Sequence, residues 1–396
     1  MRTVGAAFHR IDTLPPYVFA TVDRLKRDLR RDGRDVIDLG FGNPDIPSPE
    51  VAVEKLRETV LNPRNHRYSA SRGIDSLRRA VAEHYARRYG VQLDPETQVV
   101  STIGAKEGLA HLMWTLVDHD DSVVVPTPAY PIHQVAPRLA GASVVTVPAT
   151  GGVAAIEDAV RSARPRAVVI SFPHNPTTAT ATADDMQRLV DLAREREFLL
   201  VHDFAYADVA FDGHEPPSVL AADGAAGCAV ELYSLTKSFS MAGWRVGFLL
   251  GNAEVVAALA KLKSYLDYGT FQPIQIAATV ALREAADYTR EVCEIYRSRR
   301  DALCGGLARA GWAVEPPLGT MFVWAEVPER FRAAGSLDFA LRLAREADVA
   351  VSPGIGFGDG GDGHVRFALV ENEQRIGQAT RQIRRFLASN ALYSEA

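Results

Sequence analysis

Seven short apolar runs recur through the middle of the chain, at 99–103, 122–125, 143–147, 167–172, 198–202, 229–233 and 247–250. They are rich in Val, Ile and Leu and bounded by turn residues. Between most of them lie amphipathic stretches of helical length, such as 106–117, 154–163 and 183–196. A continuous apolar run, unlike one that alternates with polar residues, marks a strand covered on both faces. The alternation therefore predicts βαβ units: an α/β fold with a mainly parallel seven-stranded sheet and helices on both faces.

The last third reads differently. One long helical pattern covers about 275–310, followed by strand-like runs at 321–327, 349–352 and 365–369 and a helix near 337–347. Mixed elements of this kind predict a smaller α+β domain. The first 50 residues hold one helix and a Gly/Pro loop and are expected to pack with it. The expected division is 1–50 as an N-terminal arm and part of the small domain, 51–284 as the large domain, and 285–396 as the small domain.

The chain has 396 residues, enough to enclose a cleft between two domains. Its 44 Lys+Arg against 49 Asp+Glu leave no basic excess for nucleic acid. Three cysteines, none in a CxxC pair, speak against a disulfide framework or a structural zinc site. No stretch approaches the length of a membrane helix, and the first residues lack the apolar core of a signal peptide. A cytoplasmic enzyme is expected.

In open α/β sheets, ligands bind beyond the carboxyl ends of the strands. Five strand ends deliver distinctive polar groups: Ala105 and Lys106 after Gly104, Tyr130, Asn175, Asp203 with Tyr206, and Ser234 with Lys237. A lysine desolvated at a strand end loses its charge more easily and can form a Schiff base with an aldehyde. Ser234 and Arg245 nearby suit a phosphate. Asp203 closes an apolar run, so its carboxylate needs a partner, and a protonated ring nitrogen would be one. Asn175 and Tyr206 can each donate a hydrogen bond to a phenolate oxygen. Tyr130 can stack on a flat ring, and the guanidinium of Arg366 can clasp a carboxylate through two parallel bonds. Taken singly, each has an ordinary alternative: a surface lysine, a capping carboxylate, a turn residue, a structural ion pair.

Two formal motif matches fail on context, and a third motif does not occur. Residues 356–361 match GxGxxG but precede a strand, so no strand-to-helix turn surrounds them. Residues 234–237 match SxxK, yet the SDN and KTG partners of serine acylases are missing. The ten histidines include no HExxH.

The stretches LGFGNPDIPSP (39–49), RYSASRGIDSLRRAVAEHY (67–85), TIGAKEGLAHL (102–112), VPTPAYPIH (125–133), FPHNPT (172–177), VHDFAYAD (201–208), SLTKSFSMAGWRVGF (234–248) and SPGIGFGDGGDGHVRFAL (352–369) together carry a resemblance. The chain resembles the fold-type I, pyridoxal-phosphate-dependent aminotransferases of class I/II. Within them it is similar to the bacterial alanine (glutamate–pyruvate) aminotransferase branch, with the LL-diaminopimelate aminotransferases as near relatives. The resemblance implies a ping-pong exchange of an amino group between an L-amino acid and a 2-oxo acid. It makes Lys237 the Schiff-base and proton-carrying residue, and Asp203 the partner of the pyridine nitrogen. Asn175 and Tyr206 would bond the ring oxygen, and Tyr130 would stack on the ring. Ala105, Lys106, Ser234 and Arg245 would hold the phosphate, and Gly42 and Arg366 the substrate carboxylate. It also implies a homodimer in which Tyr17 and Tyr68 reach the neighbouring subunit's site.

Two positions depart from the pattern: Thr178 stands where the wider class has Gly, and His174 where a small residue is common. His174 is expected near the substrate side of the ring, and Arg72 is a candidate second carboxylate anchor. These departures keep open an aminotransferase for an unusual or cationic 2-oxo acid, or a same-fold lyase or oxidase. The effector domain of a transcription regulator is disfavoured, because 1–50 is too short for a helix-turn-helix domain.

Overall fold

The computed structural model describes residues 8–12 and 14–389. In chain order the strands are β1 (Ile37–Asp38), β2 (Val99–Thr102), β3 (Ser122–Thr127), β4 (Ser143–Pro148), β5 (Ala167–Ile170), β6 (Leu199–Asp203), β7 (Ala229–Ser234), β8 (Gly247–Gly251), β9 (Phe322–Glu326), β10 (Val349–Ala350), β11 (Ser352–Pro353) and β12 (His364–Ala368). The seven apolar runs form one sheet in the order β2-β8-β7-β6-β5-β3-β4. All its pairings are parallel except those of β8, which runs antiparallel to both β2 and β7. Strands β2, β5, β6, β7 and β8 are buried at every position. Helices close both faces, as their unbroken apolar character requires.

The antiparallel strand is what assembles the site. In the register of β8, Gly247 lies opposite both Thr102 and Ser234, the last residues of β2 and β7. The start of β8 thus shares an edge with the carboxyl ends of its neighbours. Arg245, two residues earlier, reaches the turn after β2, its Nη2 donating to the Ile103 carbonyl at 3.4 Å.

The helix Ala183–Arg196 coincides with its expected range, fixed by a capping box between Thr182 and Asp185. The stretch expected as one helix over 275–310 is two, Gln272–Glu284 and Ala286–Arg309. They break at Ala285, whose backbone (φ −105°, ψ 38°) is not helical. The run at 349–352 also divides: β10 pairs with β1, a strand the pattern did not reveal, while β11 joins an antiparallel sheet of order β11-β12-β9. A separate core unites Ile37 and Leu39 with Phe322, Phe339, Phe367 and Leu387, so residues from near both ends of the chain pack together.

Candidate active site

A cavity of 460 Å³ opens between this second core and the carboxyl edge of the large sheet. Its walls include Lys237, Asp203, Tyr206, Asn175, Tyr130 and Arg366. Ala105, Lys106, Ser234, Arg245, Gly42 and Tyr17 also border it, so the fold gathers the expected site residues except Tyr68, Arg72 and His174.

Lys237 sits in the single helical turn Leu235–Ser238, which β7 delivers and Ser234 caps by accepting from Thr236 N at 3.2 Å. Its Nζ donates to the Gly42 carbonyl at 2.6 Å. Burial pushes the amine down to a pKa of about 7, and the cations Arg366 and Arg245 add to the shift. An amine in this state is uncharged for a large fraction of the time near neutrality, the form that attacks a carbonyl or accepts a proton.

Asp203 ends β6, buried. Its Oδ2 lies 2.8 Å from His133 Nε2, while Oδ1 has no hydrogen-bond partner among the described residues. A buried carboxylate oxygen without a donor is costly, and it suits a ligand that brings an N–H. Arg366 points its Nη1 at Asn175 Oδ1 (2.6 Å) and its Nη2 at the Gly40 carbonyl (3.3 Å), and leaves Nε unpartnered. Its guanidinium carbon lies 3.8 Å from the Phe322 ring centroid and 4.7 Å from that of Phe357. Burial lowers its pKa to about 10, with Tyr206, Tyr130 and Tyr17 opposing. Burial also raises the Tyr206 phenol, which therefore stays protonated and able to donate.

The phosphate-sized corner lies at the start of the helix Ala105–Leu116, whose first backbone N–H groups have no partner within the helix. Gly104 precedes it with φ +80°, and a Cβ there would lie 2.4 Å from Arg245 Nη2. Only glycine lets the guanidinium come so close. Gly42 is similarly constrained, since a Cβ would meet the Phe322 ring at 2.6 Å.

Several expectations need correction. Tyr17, expected to cross into a neighbouring subunit, borders the cavity of its own chain. The adjacent Phe19 ring packs edge-on to Phe357 at 5.0 Å and ties the segment down. Tyr68, by contrast, is 85% exposed outside its own chain's cavity, its ring tilted against that of Tyr268, a placement compatible with the expected reach into a neighbouring subunit. His174 does not face the cavity. It is buried behind Asp203 with Nδ1 at 2.6 Å from Thr177 Oγ1, and burial drives its pKa to about 3. Thr178 does adopt the left-handed conformation (φ +62°) that the usual glycine would take. Arg72 is bound to Glu96, away from the cavity. Sequence reasoning missed His133, whose one signal was its place three residues after Tyr130, one residue into a helix that begins in the same turn.

The chain matches the model of the family described as aminotransferase class I and II over residues 34–383. It is 49% identical over 390 residues to the glutamate-pyruvate aminotransferase AlaC of Escherichia coli K12, covering 97% of this chain and 95% of that protein. It is 42% identical to an LL-diaminopimelate aminotransferase of Desulforudis audaxviator over 95% of this chain and 96% of that one. A substrate-bound structure of BacF from Bacillus subtilis superposes with a TM-score of 0.90 at 35% identity, covering 98% of both chains.

A doubly covered sheet whose strand ends present a neutral-prone lysine opposite a buried carboxylate defines a pyridoxal-phosphate enzyme of fold type I. Within that class the chain belongs to the class I and II aminotransferases, and it is a pyridoxal-phosphate-dependent transaminase. The residues present fit the cofactor: Asp203 Oδ1 awaits a donor, the Gly104 turn lets the Arg245 guanidinium approach the start of the helix Ala105–Leu116, and Lys237 supplies the amine.

Proposed function

We propose that Lys237, Asp203 and Tyr206 carry the chemistry of transamination here, and that the exchanged pairs are alanine/pyruvate and glutamate/2-oxoglutarate. Pyridoxal phosphate, when bound, supplies an aldehyde that condenses with amines and a ring that withdraws electrons from the Cα–H bond. Asp203, oriented by His133, holds the ring nitrogen's proton. Tyr206 and Asn175 donate to the ring oxygen, and Tyr130 stacks on the ring. The backbone of Ala105 and Lys106, with Ser234 and Arg245, binds the phosphate. Arg366 and the backbone of Gly42 fix the substrate carboxylate, which leaves Cα–H facing the Lys237 amine. Lys237 Nζ would take the proton from Cα and hold it for return, so that orientation and general base act together.

The observation that carries the substrate reading concerns two of the cations bordering the cavity, Arg366 and Lys106. Arg366 is rigidly held, and Lys106 has no ion-pair partner among the described residues, its Nζ 5.6 Å from the Tyr130 ring centroid. One buried and one exposed cation suit glutamate and 2-oxoglutarate, while alanine needs the first alone. The 49% identity to the glutamate-pyruvate aminotransferase of Escherichia coli supports the same pairing. A second reading, a substrate with a distal cation, draws on the similarity to the LL-diaminopimelate aminotransferases.

The test is transfer of ¹⁵N from labelled amino acids to a panel of 2-oxo acids, read by mass spectrometry. Label moving from alanine to 2-oxoglutarate ahead of all other pairs supports the first reading; preference for diaminopimelate supports the second. Release of labelled ammonia would indicate a lyase or oxidase.

The exposed aromatic patch of Tyr68, Tyr265 (83% exposed) and Tyr268 supports a homodimer in which Tyr68 reaches the partner's phosphate corner. Sedimentation as a monomer at micromolar concentration would contradict it. The shared core of residues 37–39 with 292–387 supports a small domain built from 1–50 and 285–396 beside a cofactor-binding domain at 51–284.

A further inference from the structure

The segment 40–42 belongs to no helix or strand and contains two glycines, and its Phe41 is 63% exposed. Such a stretch has little rigidity of its own. Yet its carbonyls are where two site residues rest: Gly42 O receives Lys237 Nζ, and Gly40 O receives Arg366 Nη2 as well as Ser352 Oγ at 2.8 Å. Its geometry has to be imposed from outside.

Asp38, at the end of β1, does this with its two oxygens. Oδ1 accepts from Gly40 N at 3.0 Å and from Phe41 N at 3.4 Å. Oδ2 accepts from Lys26 Nζ at 2.6 Å, and Lys26 is steadied in turn by Asp23 at 2.8 Å. Lys26 lies on the helix Phe19–Arg31, on the same inward face as Phe19, Val22 and Asp23. A side chain only 13% exposed, held by two carboxylates, is a fixed strut rather than a solvated surface lysine.

We propose that the Lys26–Asp38 pair is a positioning device for substrate recognition: it holds the 40–42 segment where its peptide groups and Arg366 together receive the substrate carboxylate. The proposal rests on the reading of Gly42 and Arg366 as the carboxylate-binding residues. Neither Lys26 nor Asp38 need touch the reacting atoms. Their loss loosens the frame in which the carboxylate docks, and small misplacements of this kind weaken productive binding strongly.

The experiment measures the affinity of propionate, a carboxylate without an amine, for the cofactor-loaded enzyme by calorimetry, beside steady-state kinetics with alanine. Lys26→Met is expected to weaken propionate roughly tenfold and to raise KM by a similar factor, with kcat changed less than about threefold. Lys26→Arg, which keeps the cation, is expected to restore most of the affinity. Should Lys26→Met not fold, Asp38→Asn, which keeps the shape but not the charge, carries the same expectation. Unchanged propionate affinity in the folded variant, or a fall in kcat and melting temperature without a change in affinity, overturns the proposal. Arg366→Lys, run in parallel, separates the two claims: if it too leaves propionate binding intact, the carboxylate reading itself has failed.

Discussion

Replacing Arg366 by Lys keeps the positive charge and removes the fork. The guanidinium makes a 2.6 Å bond to Asn175 and a 3.3 Å bond to Gly40 O while lying over Phe322, and only its remaining N–H groups are available to a carboxylate. An ammonium cannot serve Asn175, Gly40 and a two-point carboxylate from one position. A lost charge-assisted hydrogen bond is worth about 1.5–3 kcal/mol, and a stranded buried acceptor costs ~1–3 kcal/mol. Together these amount to about 2.5–6 kcal/mol, or roughly seventyfold to twenty-thousandfold in kcat/KM for alanine. The assay is the half-reaction with alanine and no oxo acid, followed by the change in cofactor absorbance under stopped flow. Cofactor content and melting temperature check that the variant is intact. Ethylamine, which has no carboxylate, serves as the internal control and should lose far less. A loss below tenfold with alanine, or an equal loss with ethylamine, would refute the assignment of Arg366 to the carboxylate.

Three further outcomes are expected. In the apoprotein, acetylation of Lys237 by trace acetic anhydride should rise with pH about a midpoint near 7, because burial, Arg366 and Arg245 all disfavour the ammonium; a midpoint at the ordinary 10.5 would contradict this. His133→Phe leaves Asp203 Oδ2 without its donor and should weaken pyridoxal phosphate binding by about tenfold to a hundredfold, the worth of one charged hydrogen bond, in a fluorescence titration. Unaltered affinity would show that His133 plays no part in orienting the carboxylate. Gly42→Ala drives a methyl into the Phe322 ring at 2.6 Å and should cost ~1–3 kcal/mol in urea unfolding while raising KM; wild-type values of both would mean that the segment yields freely.

The large sheet was legible because buried parallel strands must be apolar along their whole length, and turn residues punctuate them. All seven runs therefore appear as strands within a few residues of their expected ends. The strand-end rule likewise located Asp203, Asn175 and Lys237, since the chain emerges at that edge with its polar groups. What stayed hidden depends on pairing between distant segments. β1 and β10 are two residues each, too short for any period, and they exist because Ile37 and Asp38 lie opposite Val349 and Ala350. The break at Ala285 interrupts a helical pattern whose apolar faces continue on both sides, so periodicity alone reads straight through it. His133 and Lys26 gain meaning only from partners 70 and 12 residues away. His174 was placed on the wrong side of Asp203, because adjacency to Asn175 in sequence does not tell which way a side chain turns at a tight bend.

The central claim is that the Lys237 amine moves the substrate's Cα proton. Its most direct test is proton NMR of L-alanine in D₂O with the loaded enzyme and no oxo acid, beside Lys237→Ala. Wild type should exchange the α-proton for deuterium. The variant should lose that exchange and regain part of it when methylamine is supplied. Exchange that continues undiminished in Lys237→Ala would assign the proton transfer to another group.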